Sequence, residues 1–542
     1  MNGRQGWKLQ RPVQDAKDDL IMSQSKKMGV LKMPTDAKDA KSGSPDNAGT
    51  DKKLDPAEIR NRLQSIYSEV IARGVYYNSR SSIAFEWEDK DGNVQKRYLD
   101  PMVGSAVTSG LVPKSCVLYR GGHGGGKTSL AEEVSSMLTD INKKEIVSAM
   151  IRGNNEHNIN TLIAYLKIGK LLAKGEEEIV WRKFVTCPVK IIDEINRFPP
   201  TAANALFEIL NKGRVEYLGE IYDIPDFEVF ATENPEDEGT YPMSKPFVDR
   251  FGICVPVPQL PSTIDQILLA SRKDDKIFEM ENGKYKLGLN EIKAIEKHVA
   301  QNVKMSKDAL LYSIYLTQAL TTCERGDLGI KERSKLPLSL KCKSCNYDTV
   351  DSLCKMSLEG ISGRAFLELQ RWSKAFAFFL DAFKDSEKPE VQQSIVEAVA
   401  PYVFYHRLTP NDDLLRQQPY FGQKLAFIKD MISKASTAYG TVKEAIKELP
   451  DVMSGKIPAQ KSKLRSVRKD LVVTNHIAPL LDDVANAEFK AFYKAIQDKK
   501  KITDDDLLQL RKTLSFSTKL SPVTQMYLQT ALQAKKEGVE YF

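Results

Sequence analysis

Cys116-Val117-Leu118-Tyr119-Arg120-Gly121-Gly122-His123-Gly124-Gly125-Gly126-Lys127-Thr128 runs from an apolar segment into a glycine-rich loop that ends on a lysine and a threonine. Behind it, Ser129-Leu130-Ala131-Glu132-Glu133-Val134 has helical character. A strand, a loop of this composition and a helix start, in that order, form the phosphate-binding pattern. The glycines let backbone N–H groups close around a phosphate, and the helix N-terminus adds partial positive charge. Lys127 reaches β/γ oxygens, and the Thr128 hydroxyl can bind Mg²⁺. The expected nucleotide contacts are therefore Gly121, Gly122, His123, Gly124, Gly125, Gly126, Lys127, Thr128 and Ser129.

A second half of such a site requires acidic groups at the end of another buried strand. Val189-Lys190-Ile191-Ile192 followed by Asp193-Glu194 supplies them. Asp193 suits Mg²⁺ held through water, and Glu194 suits polarisation of an attacking water, because phosphoryl transfer depends on positioning and charge stabilisation. Outward from these two segments, short apolar runs alternate with helical stretches between about Leu111 and Val257, as in a parallel sheet covered by helices. The predicted strands are Cys116 to Tyr119, Glu145 to Met150, Val189 to Ile192, Phe227 to Thr232 and Ile253 to Val257.

The rest of the 542 residues divides around this core. Residues 1–55, rich in Lys, Asp, Ser, Gly and Pro, are expected to be a disordered polar arm. Residues 56–110 read as a helix followed by a β-hairpin around Asp91-Gly92-Asn93. The α/β core takes 111–260, a helical lid 261–405, and a further helical domain 406–542. Composition, 42% hydrophobic and 28% charged, fits a globular chain, and no apolar run reaches the length of a membrane span. The polar N-terminus carries no secretory pattern, so a cytoplasmic, reducing location is expected. There the seven cysteines are unlikely disulfide partners. Cys342-Lys343-Ser344-Cys345 has zinc-ligand spacing, and Cys323 and Cys354 could complete a Zn²⁺ site. Unliganded thiols are the competing reading, and a single close pair favours them.

Three segments in order, Asp193-Glu194-Ile195-Asn196-Arg197-Phe198-Pro199-Pro200, Ala231-Thr232-Glu233-Asn234-Pro235-Glu236-Asp237-Glu238-Gly239-Thr240-Tyr241-Pro242 and Val248-Asp249-Arg250-Phe251, resemble the MoxR-type branch of AAA+ ATPases. The resemblance is close from about Gly121 to Pro261 and loose in the helical segment after it. It implies an ATP- and Mg²⁺-dependent ATPase assembled as a homo-oligomeric ring, a hexamer. It also implies that Asn234 is a sensor residue for the lytic water, Arg250 an arginine finger offered to a neighbouring subunit, and Arg364, in Gly360-Ile361-Ser362-Gly363-Arg364-Ala365, a second sensor on the lid. Residues 214–224 resemble the pre-sensor hairpin of the same clade, and Ile168 to Phe184 its helix-2 insertion. His123 departs from the family pattern, which usually has proline there.

The functions left open are three. The resemblance implies chaperone-like remodelling of a protein client, often a von Willebrand A-domain protein. A nucleic-acid motor is the alternative, because Lys461, Lys463, Arg465, Arg468 and Lys469 form a basic cluster. A nucleotide-gated scaffold with little turnover is disfavoured by the presence of both Glu194 and Arg250. The net charge of +7 is modest and does not demand nucleic acid.

Overall fold

The computed structural model describes residues 55–72, 82–156, 162–167, 177–225, 228–258, 286–320, 353–358, 360–467, 477–499 and 502–537, with single positions at 263, 267 and 473. The chain divides into two units, Met1–Lys53 and Leu54–Phe542. The first, where the polar arm was expected, lies outside the described residues.

The helix α1 (Pro56–Ala72) buries Ile59, Leu63, Ile66 and Val70, which share one face because they recur every three or four residues. Strands β1 (Ile83–Glu88) and β2 (Val94–Leu99) pair antiparallel around a turn in which Gly92 has φ +81°. The alternating burial of β1 turns Ile83, Phe85 and Trp87 inward. Phe85 meets Phe376 with ring centroids 5.2 Å apart, so the hairpin is fastened to the downstream helices. Truncating a buried ring of this kind costs about 3–5 kcal/mol.

The strands that follow are β3 (Cys116–Arg120), β4 (Ile151–Arg152), β5 (Ala164–Leu166), β6 (Ile179–Trp181), β7 (Val189–Asp193), β8 (Arg214–Tyr217), β9 (Glu220–Asp223), β10 (Glu228–Glu233) and β11 (Ile253–Pro256). Five of them form a parallel sheet in the order β11-β3-β10-β7-β4. Alternation along each strand sorts the core into two layers. Val117, Tyr119, Val189, Ile191, Phe230, Ile253 and Val255 enter one cluster, and Leu118, Ile192, Val229, Ala231 and Cys254 enter the other. The first layer continues into α1, into the buried helix α2 (Pro101–Ser109) and into the C-terminal helices as far as Leu532. The second is closed by α5 (Pro200–Lys212), reached after α3 (Lys127–Thr139) and α4 (Lys143–Ala149).

One predicted strand is wrong. Residues 145–150 belong to α4 and its C-cap, because Asn142 caps the helix by accepting from Lys144 N, and Ile146 and Ala149 then share the buried face. The strand in that position is β4, one residue beyond. Past the sheet, α6 (Leu289–Asn302), α7 (Lys307–Ala319), α8 (Gly363–Leu380), α9 (Gln393–Phe404) and α10 (Lys424–Ile446) lead to a set of shorter helices ending at Glu537. Among the described residues, no helix is long and apolar enough to cross a membrane.

Candidate active site

The chain leaves β3 at Arg120 and turns through residues 121–126 into α3. Gly124 and Gly126 have φ of +76° and +69°, a region side-chain-bearing residues rarely adopt. A Cβ on Gly121 would stand 2.2 Å from the Val257 carbonyl oxygen, so the loop is also packed tightly against the end of β11. No side chain caps α3, and no acidic residue occupies its first turn. Its first N–H groups and dipole are thus directed at an anion from outside. Lys127 Nζ donates to the carbonyls of Gly121 at 2.9 Å and Gly122 at 2.5 Å. Burial lowers the pKa of Lys127, against the opposing pull of Asp193 and Glu194.

The facing wall comes from β7 and β10, which parallel pairing brings to the same edge: Ala231 lies opposite Ile192, so Thr232 follows beside Asp193. Thr128 Oγ1 donates to Asp193 Oδ1 at 2.7 Å, and Thr232 Oγ1 donates to the same oxygen at 2.6 Å. Thr232 Oγ1 in turn accepts from Glu194 N at 2.9 Å. Glu194 has φ +52°, a left-handed conformation costing about 1–2 kcal/mol, and this bond is one contact that offsets it. Its carboxylate pairs with Arg197 at 2.9 Å, and Arg197 also pairs with Asp237. Asn234, buried, approaches His123 Nε2 through Nδ2 at 2.7 Å, and its carbonyl accepts from Asn196 Nδ2 at 2.8 Å. A cleft of about 280 Å³ is lined by His123 through Ser129, with Asp193, Glu194, Thr232, Glu233 and Asn234.

Two expected site residues stand elsewhere. Arg250 lies at the start of the turn into β11, at the opposite edge of the sheet, with its guanidinium over the Phe207 ring at 4.8 Å. Its Nε is buried and has no hydrogen-bond partner among the described residues. Asp249, the obvious local partner, is instead engaged by Arg407 at 2.8 Å and by Ser362 at 2.7 Å. Arg364, expected as a second sensor on the lid, does not line the cleft. It follows Ser362 at the start of α8 and bears on Cys116, at the beginning rather than the end of β3. Its place on the lid did not tell which edge of the sheet the helix would meet.

Thr232, Arg197 and Asp237 were not anticipated as parts of the site. The signal available was a hydroxyl residue ending a buried strand in line with Asp193, and a cation one helical turn after Glu194. Cys323, Cys342 and Cys345 lie outside the described residues, as does the Cys354 side chain. Of the basic cluster, Lys463 pairs with Glu448 at 3.2 Å and Arg465 donates to the Ala459 carbonyl at 2.9 Å, while Arg468 and Lys469 lie outside the described residues. The hairpin at residues 214–224 is present as β8–β9, with Leu218 and Gly219 both at positive φ. Of the insertion, β6 and the helix Lys183–Thr186 are described, and Trp181 packs on Tyr222 of the hairpin at 5.1 Å.

Residues 117–251 match the AAA domain of the dynein-related subfamily. The uncharacterized protein YeaC of Bacillus subtilis is 24% identical over 237 residues, which is 42% of this chain and 68% of that protein. The chaperone MoxR1 of Mycobacterium tuberculosis is 28% identical over 154 residues, 26% of this chain and 36% of its own length. A solved structure from Cytophaga hutchinsonii covers 69% of this chain and 94% of its own, at 19% identity and a TM-score of 0.48. The strand, loop and helix order of the phosphate loop falls at the start of the family match, so residues 117–251 are similar to a AAA domain of the dynein-related subfamily and, over part of its length, to the chaperone MoxR1.

Proposed function

We propose that the chain hydrolyses ATP as a ring and uses the turnover to remodel a protein partner. Lys127 and the N–H groups of residues 121–129 hold the phosphates. Thr128 and Asp193 present oxygens on one hydrogen bond, a donor set suited to Mg²⁺. The ion's remaining ligands would come from phosphate and water. When bound, Mg²⁺ supplies positive charge against that developing on the transferred phosphoryl group. Glu194, oriented by Arg197, accepts a proton from water, and Asn234 orients that water.

Arg250 and Arg364 serve the cleft of the neighbouring subunit. What supports this is their position away from their own cleft, and the engagement of Asp249 by Arg407 and Ser362 rather than by Arg250. Client contact falls to β8–β9 and the insertion at residues 168–184. Leu218 and Ile221 are 62% and 60% exposed at the hairpin, beside the acidic Glu216, Glu220 and Asp223. Apolar and acidic side chains suit an extended polypeptide better than a phosphate backbone.

The observation that carries the proposal is the Thr128–Asp193 bond, which joins the phosphate loop to the acidic strand end 65 residues away. Its test is ATP hydrolysis against protein concentration for the native chain and Glu194→Gln, with sizing in each nucleotide state. Steep concentration dependence, and a ring retained without turnover in the variant, are expected. Concentration-independent hydrolysis by a monomer would remove Arg250 from the reaction. Salt-sensitive stimulation by DNA would replace the protein client with nucleic acid.

A further inference from the structure

The turn Asp249–Gly252, which carries Arg250, is gripped by the helices that follow the sheet. The Arg407 guanidinium, 2% exposed, spends its N–H donors there. Nε donates to Asp249 Oδ1 at 2.8 Å, and Nη2 to the carbonyls of Asp249 at 3.0 Å and Phe251 at 2.6 Å. Nη1 donates to the Gly252 carbonyl at 3.1 Å and to the carbonyl of Val403 on α9. All five donors of the planar fork are satisfied, a pattern lysine cannot reproduce. His406 Nε2 adds a bond to the Phe251 carbonyl at 2.8 Å. Ser362, the N-cap of α8, donates to the same Asp249 Oδ1 at 2.7 Å. Gly252 is pressed so closely on α8 that a Cβ there would lie 2.5 Å from Trp372 Nε1.

This grip leaves one side chain of the turn outside it. Arg250 projects from a backbone whose carbonyls on either side are tied to Arg407, while its own Nε has no partner among the described residues. A finger must reach an anion on another subunit with little tolerance, and a misplacement of about 1 Å costs about 100-fold in rate.

We propose that Arg407 is a positioning residue for Arg250: it fixes the finger's backbone to α9, so that the helical region of one subunit sets hydrolysis in the cleft of the next. The proposal rests on the reading of Arg250 as a finger in trans. Arg407 does not line its own cleft, and it acts through Arg250 on the neighbour's reaction rather than on its own.

Subunit mixing separates these roles in the full-length chain. Arg250→Ala has an intact cleft and no finger, and Glu194→Gln has a finger and a disabled cleft. Mixed, they should recover turnover at least about tenfold over either alone. Arg407→Gln alone should lose about 100-fold in kcat with KM nearly unchanged. Mixed with Glu194→Gln it should recover as Arg250→Ala does, because its cleft is then served by a sound finger. The double variant Arg407→Gln/Glu194→Gln should fail to rescue Arg250→Ala. Recovery by Arg250→Ala but not by Arg407→Gln overturns the Arg407 assignment and leaves the trans finger standing. No recovery in the first mixture removes the trans finger and the proposal with it. If Arg407→Gln does not fold by circular dichroism, Asp249→Asn, which weakens the side-chain bond alone, carries the same test with the same two outcomes.

Discussion

At the C-terminal edge of the sheet, the phosphate loop, Asp193, Thr232 and Asn234 are placed by strands and turns that adjoin one another in the parallel ladder. At the N-terminal edge, the turn bearing Arg250 is placed by Ser362 and Arg407, which lie 113 and 158 residues downstream of Asp249. The first edge is assembled within the α/β core. The second is assembled only when the helices dock. Strand β11 joins them, lying between Gly252 at one edge and Val257 at the other, where Val257 N donates to the Arg120 carbonyl at 2.7 Å and its side chain abuts Gly125. Under the proposed function, a chain built this way would bind nucleotide with one edge while the other governs when a neighbour's nucleotide is cleaved.

The largest expected effect tests that separation directly. Arg250→Ala should lower kcat by about 10³–10⁵-fold, the range seen when a finger is withheld from a phosphoryl transfer site. Nucleotide affinity, measured by titration with a fluorescent ATP analogue, should stay unchanged, because Arg250 does not line its own cleft. A parallel loss of affinity would mean that the two edges are not independent and would break the comparison.

A smaller effect is expected at the cleft edge from Thr232→Val. The hydroxyl both donates to Asp193 and accepts from Glu194 N, so valine keeps the volume and leaves that N–H without its acceptor. Groups that orient a metal-binding carboxylate in this manner are worth about 10–100-fold in activity or metal affinity. Turnover should fall by that amount, and the Mg²⁺ concentration for half-maximal rate should rise, with no change in oligomer size. An unchanged Mg²⁺ requirement would separate Thr232 from the metal and confine it to the backbone of Glu194.

Legibility in the sequence differed between the two edges for the same physical reason. The loop and the Asp193-Glu194 pair are local patterns in which residue type and spacing carry the chemistry, Asn234 was named through the family resemblance, and the structure brings all of them to one cleft. Four of five core strands were also visible as apolar runs bounded by polar or glycine-rich residues. The fifth failed because Glu145 to Met150 has the apolar content of a strand, while the cap at Asn142 determines a helix. Thr232 could not be singled out, since its role exists only once β7 and β10 are in register. Arg407 was invisible for a stronger reason: its partners are mostly backbone carbonyls, which leave no trace in residue identity. The helix carrying Arg364 was foreseen, but the sheet edge it meets is a tertiary property.

The smallest effect sits on the strand that ends beside Asn234 but at its far end. Glu228 opens β10 fully buried, and burial raises its pKa from 4.5 to about 7, with the Ser109 hydroxyl acting weakly the other way. Below pH 4.5 the carboxyl is protonated in folded and unfolded chains alike and takes nothing from stability. As pH rises from 4.5 to about 7 the unfolded chain releases its proton first, so stability is lost through that window and the loss is complete above it. The size is roughly 3 kcal/mol at most. Glu228→Gln removes the titration, so thermal melts of the native chain should decline more between pH 5 and pH 8 than those of the variant, by a few degrees. ATP turnover of the variant at neutral pH should match the native chain, because the cleft lies at the opposite end of the strand. Equal pH slopes would show that Glu228 is solvated in the folded chain. A change in turnover would show instead that β10 transmits strain along its length, and the contrast between the two edges would then be one of degree.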